Sequence, residues 1–293
     1  MSRIAYVNGQ YLRHRSAAVH IDDRGYQFSD GVYEMIAVRH GEMVDEELHL
    51  KRLNRSLSEL RIAPAMAEPA LKIVMREVIR RNFLRDGTLY MQMTRGVAPR
   101  DHAFPKNAKT STVMTCRRVR LPNRQIAAEG VRVITIPDLR WARRDIKSLS
   151  LLPNVLGKQQ AKEAGAYEAW QVDPDGTVTE GTSTNAWIVT DRGEVVTRQA
   201  THAILNGVTR LALLDAIKRA GHRFVERPFS VAEVKNAREA FLTSTTSFVL
   251  PVVRIDDSTV ADGKPGALTL KLRELYFDHV DRLNRIDRGE AKS

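Results

Sequence analysis

Lys147 lies in Arg144-Asp145-Ile146-Lys147-Ser148-Leu149, and further along the chain Glu180 lies in Thr179-Glu180-Gly181-Thr182-Ser183-Thr184-Asn185. A lysine followed by small and apolar residues can be partly desolvated, which lowers its pKa and frees the amine to form a Schiff base. A carboxylate in a hydroxyl-rich turn can keep a pyridine nitrogen protonated, so that the ring accepts electrons from a substrate carbon. The pair therefore suits Schiff-base chemistry on pyridoxal phosphate. By residue type alone, each also fits a solvated surface position.

A phosphate-bearing cofactor needs an anion cradle of backbone amides and hydroxyls, often with an arginine. Two turns qualify. Gly207-Val208-Thr209-Arg210 opens an expected helix, whose free amides and dipole favour phosphate, and Thr243-Ser244-Thr245-Thr246-Ser247 supplies hydroxyls after an expected strand. Either also reads as an ordinary cap or turn. In Thr94-Arg95-Gly96-Val97-Ala98-Pro99-Arg100-Asp101-His102, Arg100 can grip a carboxylate bidentately and His102 can add a hydrogen bond. A merely basic loop is the alternative.

The elements that must position these groups are mixed. Ile4 to Leu12 reads as a hairpin around Asn8-Gly9, and Gly31 to Arg39 alternates as a strand that His40-Gly41-Glu42 turns back. Leu50, Leu53, Leu57 and Leu60 recur at helical spacing from Glu46, and Leu71, Val74, Val78 and Ile79 repeat the pattern over Ala70 to Asn82. Thr88 to Arg95 and Thr110 to Arg118 return to strand character. The polar run Leu121-Pro122-Asn123-Arg124-Gln125 marks a boundary, so the expected plan is a domain over 1–120, a linker over 121–125 and a second domain over 126–293. Beyond it, strands are expected at Val131–Ile136, Glu168–Val172, Asn185–Thr190, Phe241–Thr243 and Val249–Ile255. Helices are expected at Asn154–Ala164, Thr209–Ala220 and Ala267–Arg285. The fold class is α+β, in two domains with a cleft between them.

The 293 residues carry 46 basic and 35 acidic side chains, a net charge of +11. The charge is spread out, with only short groups at Arg80-Arg81, Arg117-Arg118 and Arg143-Arg144. No zinc-finger spacing or aromatic-basic module accompanies them, so anionic small molecules are expected as partners and nucleic acid is not. No metal site is expected. No run of about 18 or more apolar residues is present, and the opening residues lack the apolar region of a signal peptide. A cytoplasmic protein without membrane association is expected. The single cysteine, Cys116, cannot form an internal disulfide and reads as a buried, inert thiol.

Together, Arg24-Gly25-Tyr26-Gln27-Phe28-Ser29-Asp30-Gly31-Val32-Tyr33-Glu34, Asp145-Ile146-Lys147-Ser148, Thr179-Glu180-Gly181 and Thr243-Ser244-Thr245-Thr246-Ser247 resemble the class IV, or fold-type IV, pyridoxal-phosphate aminotransferases, most of all those that act on D-amino acids. The resemblance runs from Tyr6 to Ile255 in the same order and with similar spacing. It implies a two-domain fold with pyridoxal 5'-phosphate in the cleft and Lys147 holding the cofactor, then moving a proton from the substrate α-carbon. Glu180 would pair with the pyridine nitrogen. Arg52, the amides of Val208 and Thr209, and Ser244 and Thr245 would hold the phosphate, while Leu205 would pack against the ring. Tyr33, Arg100 and His102 would trap the substrate carboxylate, the last two reaching in from a neighbouring subunit of a homodimer.

The implied reaction is transamination between a D-amino acid such as D-alanine and a 2-oxo acid such as 2-oxoglutarate. Ser29 stands where that family commonly has glycine, Thr182-Ser183-Thr184 replaces a serine run, and Pro153-Asn154 follows the lysine segment. These departures leave the catalytic groups in place and the side-chain preference open. A branched-chain L-amino-acid or R-amine aminotransferase and an aminodeoxychorismate lyase share the fold and cofactor. Arg100 and His102 argue against the first. A basic nucleic-acid binder would leave the dispersed motifs unexplained.

Overall fold

The computed structural model describes residues 3–119 and 124–287, apart from the side chains of 124 and 283–287. It divides into two compact units. Among the described residues, the first takes in 3–119, 146–150 and 286–287, and the second 124–145 and 151–285.

The first unit opens with the hairpin of β1 (Ile4–Val7) and β2 (Gln10–Arg13), closed at Val7 opposite Gln10. Asn8 (φ 47°) and Gly9 (φ 96°) both take left-handed conformations, which the right-handed twist of the strands demands of a two-residue loop. A short helix α1 (Arg24–Phe28) follows, capped by Asp23, whose carboxylate accepts from the Gly25 amide. It ends on Ser29 at φ 57°, the backbone geometry that glycine adopts at least cost. Then come β3 (Gly31–Arg39), β4 (Glu42–Met43), α2 (Glu46–Glu59), α3 (Glu68–Arg81), β5 (Gly87–Thr94) and β6 (Ser111–Arg118). The strands form an antiparallel six-stranded sheet in the order β2-β1-β6-β5-β3-β4.

The leucine spacing seen in the sequence is what the core uses. Leu50, Leu53 and Leu57 of α2 and Leu71, Met75, Val78 and Ile79 of α3 bury against Val32, Ile36 and Val38 of β3 and Leu89, Met91 and Met93 of β5. Cys116 lies in the same core, and burial pushes its thiol up to about 12, so it stays protonated and unreactive at neutral pH.

The chain returns to this unit at 146–150, a stretch that the sequence reading assigns to the second domain. The segment lies antiparallel to the start of β3: Tyr33 N donates to Lys147 O (3.0 Å), Leu149 N donates to Gly31 O (3.0 Å), and Ser148 bridges Val32. Gly31 makes the approach possible. A Cβ there would stand 2.6 Å from the Met93 carbonyl oxygen and 2.8 Å from Leu149 Cδ1.

The second unit contains α4 (Arg124–Glu129), β7 (Val131–Pro137), α5 (Leu152–Glu163), β8 (Glu168–Val172), β9 (Val178–Gly181), β10 (Asn185–Val189) and β11 (Val195–Thr197). It continues with α6 (Val208–Arg219), β12 (Phe224–Glu226), α7 (Val231–Lys235), β13 (Glu239–Ser244), β14 (Phe248–Ile255), β15 (Ser258–Thr259) and α8 (Ala267–Asp287). Its nine-stranded sheet runs β12-β11-β10-β13-β14-β7-β8-β9, with β15 on β14. Every residue of β10 and β11 is buried, which explains why neither shows the alternation of a half-exposed strand.

Most of the expected elements lie within a residue or two of these bounds. Residues 121–123 of the expected linker lie outside the described residues, and Arg124 and Gln125 already open α4. Arg124-Gln125-Ile126-Ala127-Ala128-Glu129 is made of helix formers, a preference masked in the sequence by the proline before it. Among the described residues, no helix is long and apolar enough to cross a membrane.

Candidate active site

In the first unit the residues gather around the start of β3. Successive side chains of a strand point to opposite faces, so Val32, Glu34, Ile36 and Val38 face the core while Tyr33 faces the other way. Lys147 is half-buried, with Nζ 4.2 Å from the centre of the Tyr33 ring. Its backbone amide is 3.4 Å from Ser56 Oγ on α2. Tyr33 packs in turn on Tyr90, ring centres 5.8 Å apart, and the Tyr90 hydroxyl donates to Gln92 at 2.7 Å. Burial raises the Tyr90 phenol to about 12, so it remains a neutral donor.

On the core face, Glu34 is fully buried between two residues of α2. Arg52 donates from Nε to Oε1 (2.8 Å) and from a terminal nitrogen to Oε2 (2.7 Å), and His49 Nδ1 lies 2.7 Å from Oε2. His49, Arg52 and Ser56 share one face of the helix at three- and four-residue spacing. Burial alone would raise the Glu34 carboxyl, but the charge and hydrogen bonds of Arg52, with the hydrogen bond of His49, hold it at about 2. Burial lowers the His49 pKa despite Glu34, which keeps the ring neutral.

Sequence reasoning missed Glu34, although a lone carboxylate among Val32, Ile36 and Val38 on one strand face was the available signal. Its depressed value makes a contribution to stability that is complete above pH 4.5 and is lost as the pH falls toward 2, worth roughly 3 kcal/mol. Glu34→Gln should therefore flatten the loss of stability between pH 5 and pH 2 in denaturant unfolding. An unchanged acid limb in that variant would remove Glu34 from this role.

Arg100 and His102 stand on the exposed loop after β5. They flank one ring: the Arg100 guanidinium lies 4.9 Å from the Phe28 centroid, and the His102 ring is 5.4 Å from it. Arg24 holds the loop by donating to the carbonyl oxygens of Asp101 and His102 while paired with Asp30 at 2.8 Å. Among the described residues, no hydrogen bond, ion pair or ring contact joins Arg100 or His102 to Lys147 or Tyr33.

In the second unit the centre is Glu180, at the end of β9 and buried. It accepts from Asn185 Nδ2 (3.0 Å), from the Leu205 amide with both oxygens (3.1 Å each) and from Arg140. Arg140 is held by Asp138 at 2.7 Å, and Asp138 also accepts from Thr179 (2.7 Å). Burial pushes the Glu180 carboxyl up, with Arg140 and the Leu205 amide pulling the other way. A protonated ring nitrogen beside it would supply the further positive charge that this buried acid lacks.

Asn185, the second residue that sequence reasoning passed over, joins the parts. Besides Glu180 it donates to Leu205 O (2.9 Å), and a Cβ on Gly207 would stand 2.1 Å from its Oδ1. Gly207 is the N-cap of α6, so the amides of Val208 and Thr209 are helix-terminal donors without intrahelical partners. Asn185 also pairs in register with Thr243, which brings the 243–247 turn to the same end of the sheet. There Ser244 Oγ accepts from the Ser247 amide (3.0 Å), and Thr245 is half-buried. Glu180, Leu205, Val208, Thr209, Ser244 and Thr245 are thus drawn together in this unit. A buried carboxylate for a ring nitrogen, with free helix-terminal amides and hydroxyls for a phosphate, fits pyridoxal phosphate.

The Amino-transferase class IV profile matches residues 31–255. The D-alanine aminotransferase of Bacillus licheniformis is 42% identical over 262 residues, covering 89% of this chain and 92% of that protein. The D-alanine aminotransferase of Staphylococcus haemolyticus is 37% identical over 276 residues, covering 94% and 97%. Among solved structures, a branched-chain amino acid aminotransferase from Escherichia coli superposes with a TM-score of 0.88 at 22% identity, over 100% of this chain and 97% of that one. Another branched-chain amino acid aminotransferase, solved with pyridoxamine 5'-phosphate, gives 0.87 at 24% identity, over 96% and 95%. The 4-amino-4-deoxychorismate lyase of Pseudomonas aeruginosa gives 0.80 at 27% identity, over 94% and 99%.

Proposed function

Because this chain belongs to the class IV aminotransferases, we propose that it exchanges amino groups between a D-amino acid, such as D-alanine, and a 2-oxo acid, such as 2-oxoglutarate. The cofactor is pyridoxal 5'-phosphate. When bound, it supplies an electron sink for the pair left behind at the substrate α-carbon. The observation that carries the reading is the pair of prepared groups: Lys147 docked against Tyr33, and Glu180 buried among Asn185, Leu205 and Arg140.

Each residue then has a task that its surroundings support. Lys147 would hold the cofactor and, as a free amine, would take the proton from the substrate α-carbon at Nζ. Glu180 holds the ring nitrogen protonated. Arg52, kept in one orientation by its two bonds to Glu34, binds the phosphate with the Val208 and Thr209 amides, Ser244 and Thr245. Leu205 packs against the ring, its amide already fixed on Glu180. Tyr33, Arg100 and His102 bind the substrate carboxylate.

Arg100 and His102 are solvent-facing within their own chain, which supports a homodimer in which each chain lends them to the site of the other. We place the enzyme in the cytoplasm, where a protein whose one cysteine is a buried thiol needs no disulfide.

The test is the visible spectrum of the cofactor-loaded protein during separate additions of D- and L-alanine. Loss of the band from lysine-bound cofactor with D-alanine alone is expected. Equal or greater response to L-alanine would overturn the handedness, and pyruvate release from aminodeoxychorismate without an oxo-acid acceptor would replace transamination by elimination.

A further inference from the structure

At the opposite end of the first unit's sheet from Lys147 lies a cavity of about 430 Å³ edged by Arg3, Arg81, Arg117 and Arg118. The strand register gives its position. Tyr33 pairs with Gln92 and Arg118 with Gly87, so these two points on β5 stand about five residues, or roughly 17 Å, apart.

The cavity has an unbalanced charge. None of its lining residues is acidic. Glu77 holds Arg81 (2.7 Å) but shares its carboxylate with Arg80, so it offsets only part of one charge. Arg3 approaches His14 at 3.4 Å and Arg118 donates to the Phe83 carbonyl at 3.2 Å; neither has an acidic partner among the described residues. Arg117 stands between Cys116 and Arg118 in β6 and so projects its side chain to the opposite face of the sheet, which leaves Arg3, Arg81 and Arg118 as the guanidiniums of the cavity. Such a group of guanidiniums matches the oxygens of a phosphate or carboxylate.

The rest of the lining is apolar, formed by Phe83, Leu84 and Cys116, with Asn82 occupied on both sides by the backbone of Ile4. Phe83 is the informative residue. Its backbone sits at φ 47°, a left-handed conformation that is costly for a bulky side chain, and the residue is 64% exposed. The bonds from Phe83 N to Arg80 O (3.0 Å) and from Leu84 N to Ile79 O (3.2 Å) hold it there. The fold thus keeps an uncovered aromatic ring beside arginines lacking acidic partners.

We propose that this cavity binds a small organic anion in which a phosphate or carboxylate is joined to a flat apolar body. The guanidiniums receive the anionic group and Phe83 receives the flat face. The site is separate from the transamination residues and does not depend on that assignment.

Adenosine 5'-monophosphate is the probe, titrated calorimetrically into the cofactor-loaded enzyme, with ribose 5-phosphate and adenosine as controls that lack the flat body and the phosphate. Saturable binding of the nucleotide is expected, at least tenfold tighter than either control. The double variant Arg3→Ala with Arg118→Ala should weaken it tenfold or more, and Phe83→Ala should bring it to the level of ribose 5-phosphate. Both variants should leave kcat for transamination unchanged, since neither touches that site. The exposed arginines can be replaced without disturbing the core, so that variant decides even if Phe83→Ala fails to fold. No saturable binding at millimolar nucleotide, or binding indifferent to the arginine pair, would overturn the proposal.

Discussion

Lys147→Ala should lower transamination by at least 10²- to 10⁴-fold, about the full contribution of a positioned acid-base group, and remove the visible absorbance of lysine-bound cofactor. The fold should survive. Lys147 is tied to its surroundings through backbone atoms, its carbonyl accepting from Tyr33 and its amide facing Ser56, and alanine keeps both. Only the amine above the Tyr33 ring is lost, a contact worth on the order of 0.5–1 kcal/mol at a partly exposed site. Activity should therefore collapse with little change in the unfolding midpoint. Normal turnover in the alanine variant would remove the lysine from the chemistry, and a matching collapse of stability would make its role structural.

The second large effect is expected at Glu180. Glutamine has nearly the same shape and still accepts from the Leu205 amide and from Arg140, but it carries no charge to hold a ring nitrogen protonated. Glu180→Gln should reduce kcat on the order of 10²–10³-fold, the scale seen when one preorganised electrostatic group is lost. KM for D-alanine should move far less, because the role proposed for Glu180 is on the cofactor ring and not on the substrate carboxylate. Comparison of kcat and KM in the purified, fully loaded variant decides the point. A variant whose kcat stays within a few-fold of the parent would sink the assignment.

The fold was legible where one physical requirement governed each stretch. The leucines of α2 answer to burial, Asn8-Gly9 to the twist of a two-residue hairpin, and Gly31–Arg39 to strand alternation. The second unit was harder because β11 is three residues long and wholly buried and, in the first, α1 is too short for periodicity to show.

At the candidate site, Lys147 and Glu180 were singled out by residue type and spacing, and Arg52 by the family resemblance. Their partners were not. Glu34 and Asn185 act by holding other residues in place, and nothing in a linear chain links position 34 to position 52 or position 185 to position 205 before the sheet and helices bring them together. Arg100 and His102 show the converse. Their residue types point to a carboxylate, but the loop that carries them is pinned to Phe28 and Arg24, away from any contact with Lys147 in the same chain.

The lysine segment that returns to β3 also bears on how the enzyme becomes competent. A ribosome that has released residues 3–119 has supplied the whole six-stranded sheet, Tyr33, Glu34 and Arg52, but not Lys147. The gap beside Gly31 is filled only after part of the second unit has been synthesised, so with Lys147 as the proposed anchor covalent loading should report on synthesis beyond the first unit's sheet and not on that sheet alone. A truncated chain ending before 146 would carry Arg52 and Glu34 and still lack Lys147, the residue proposed to hold the cofactor by a bond.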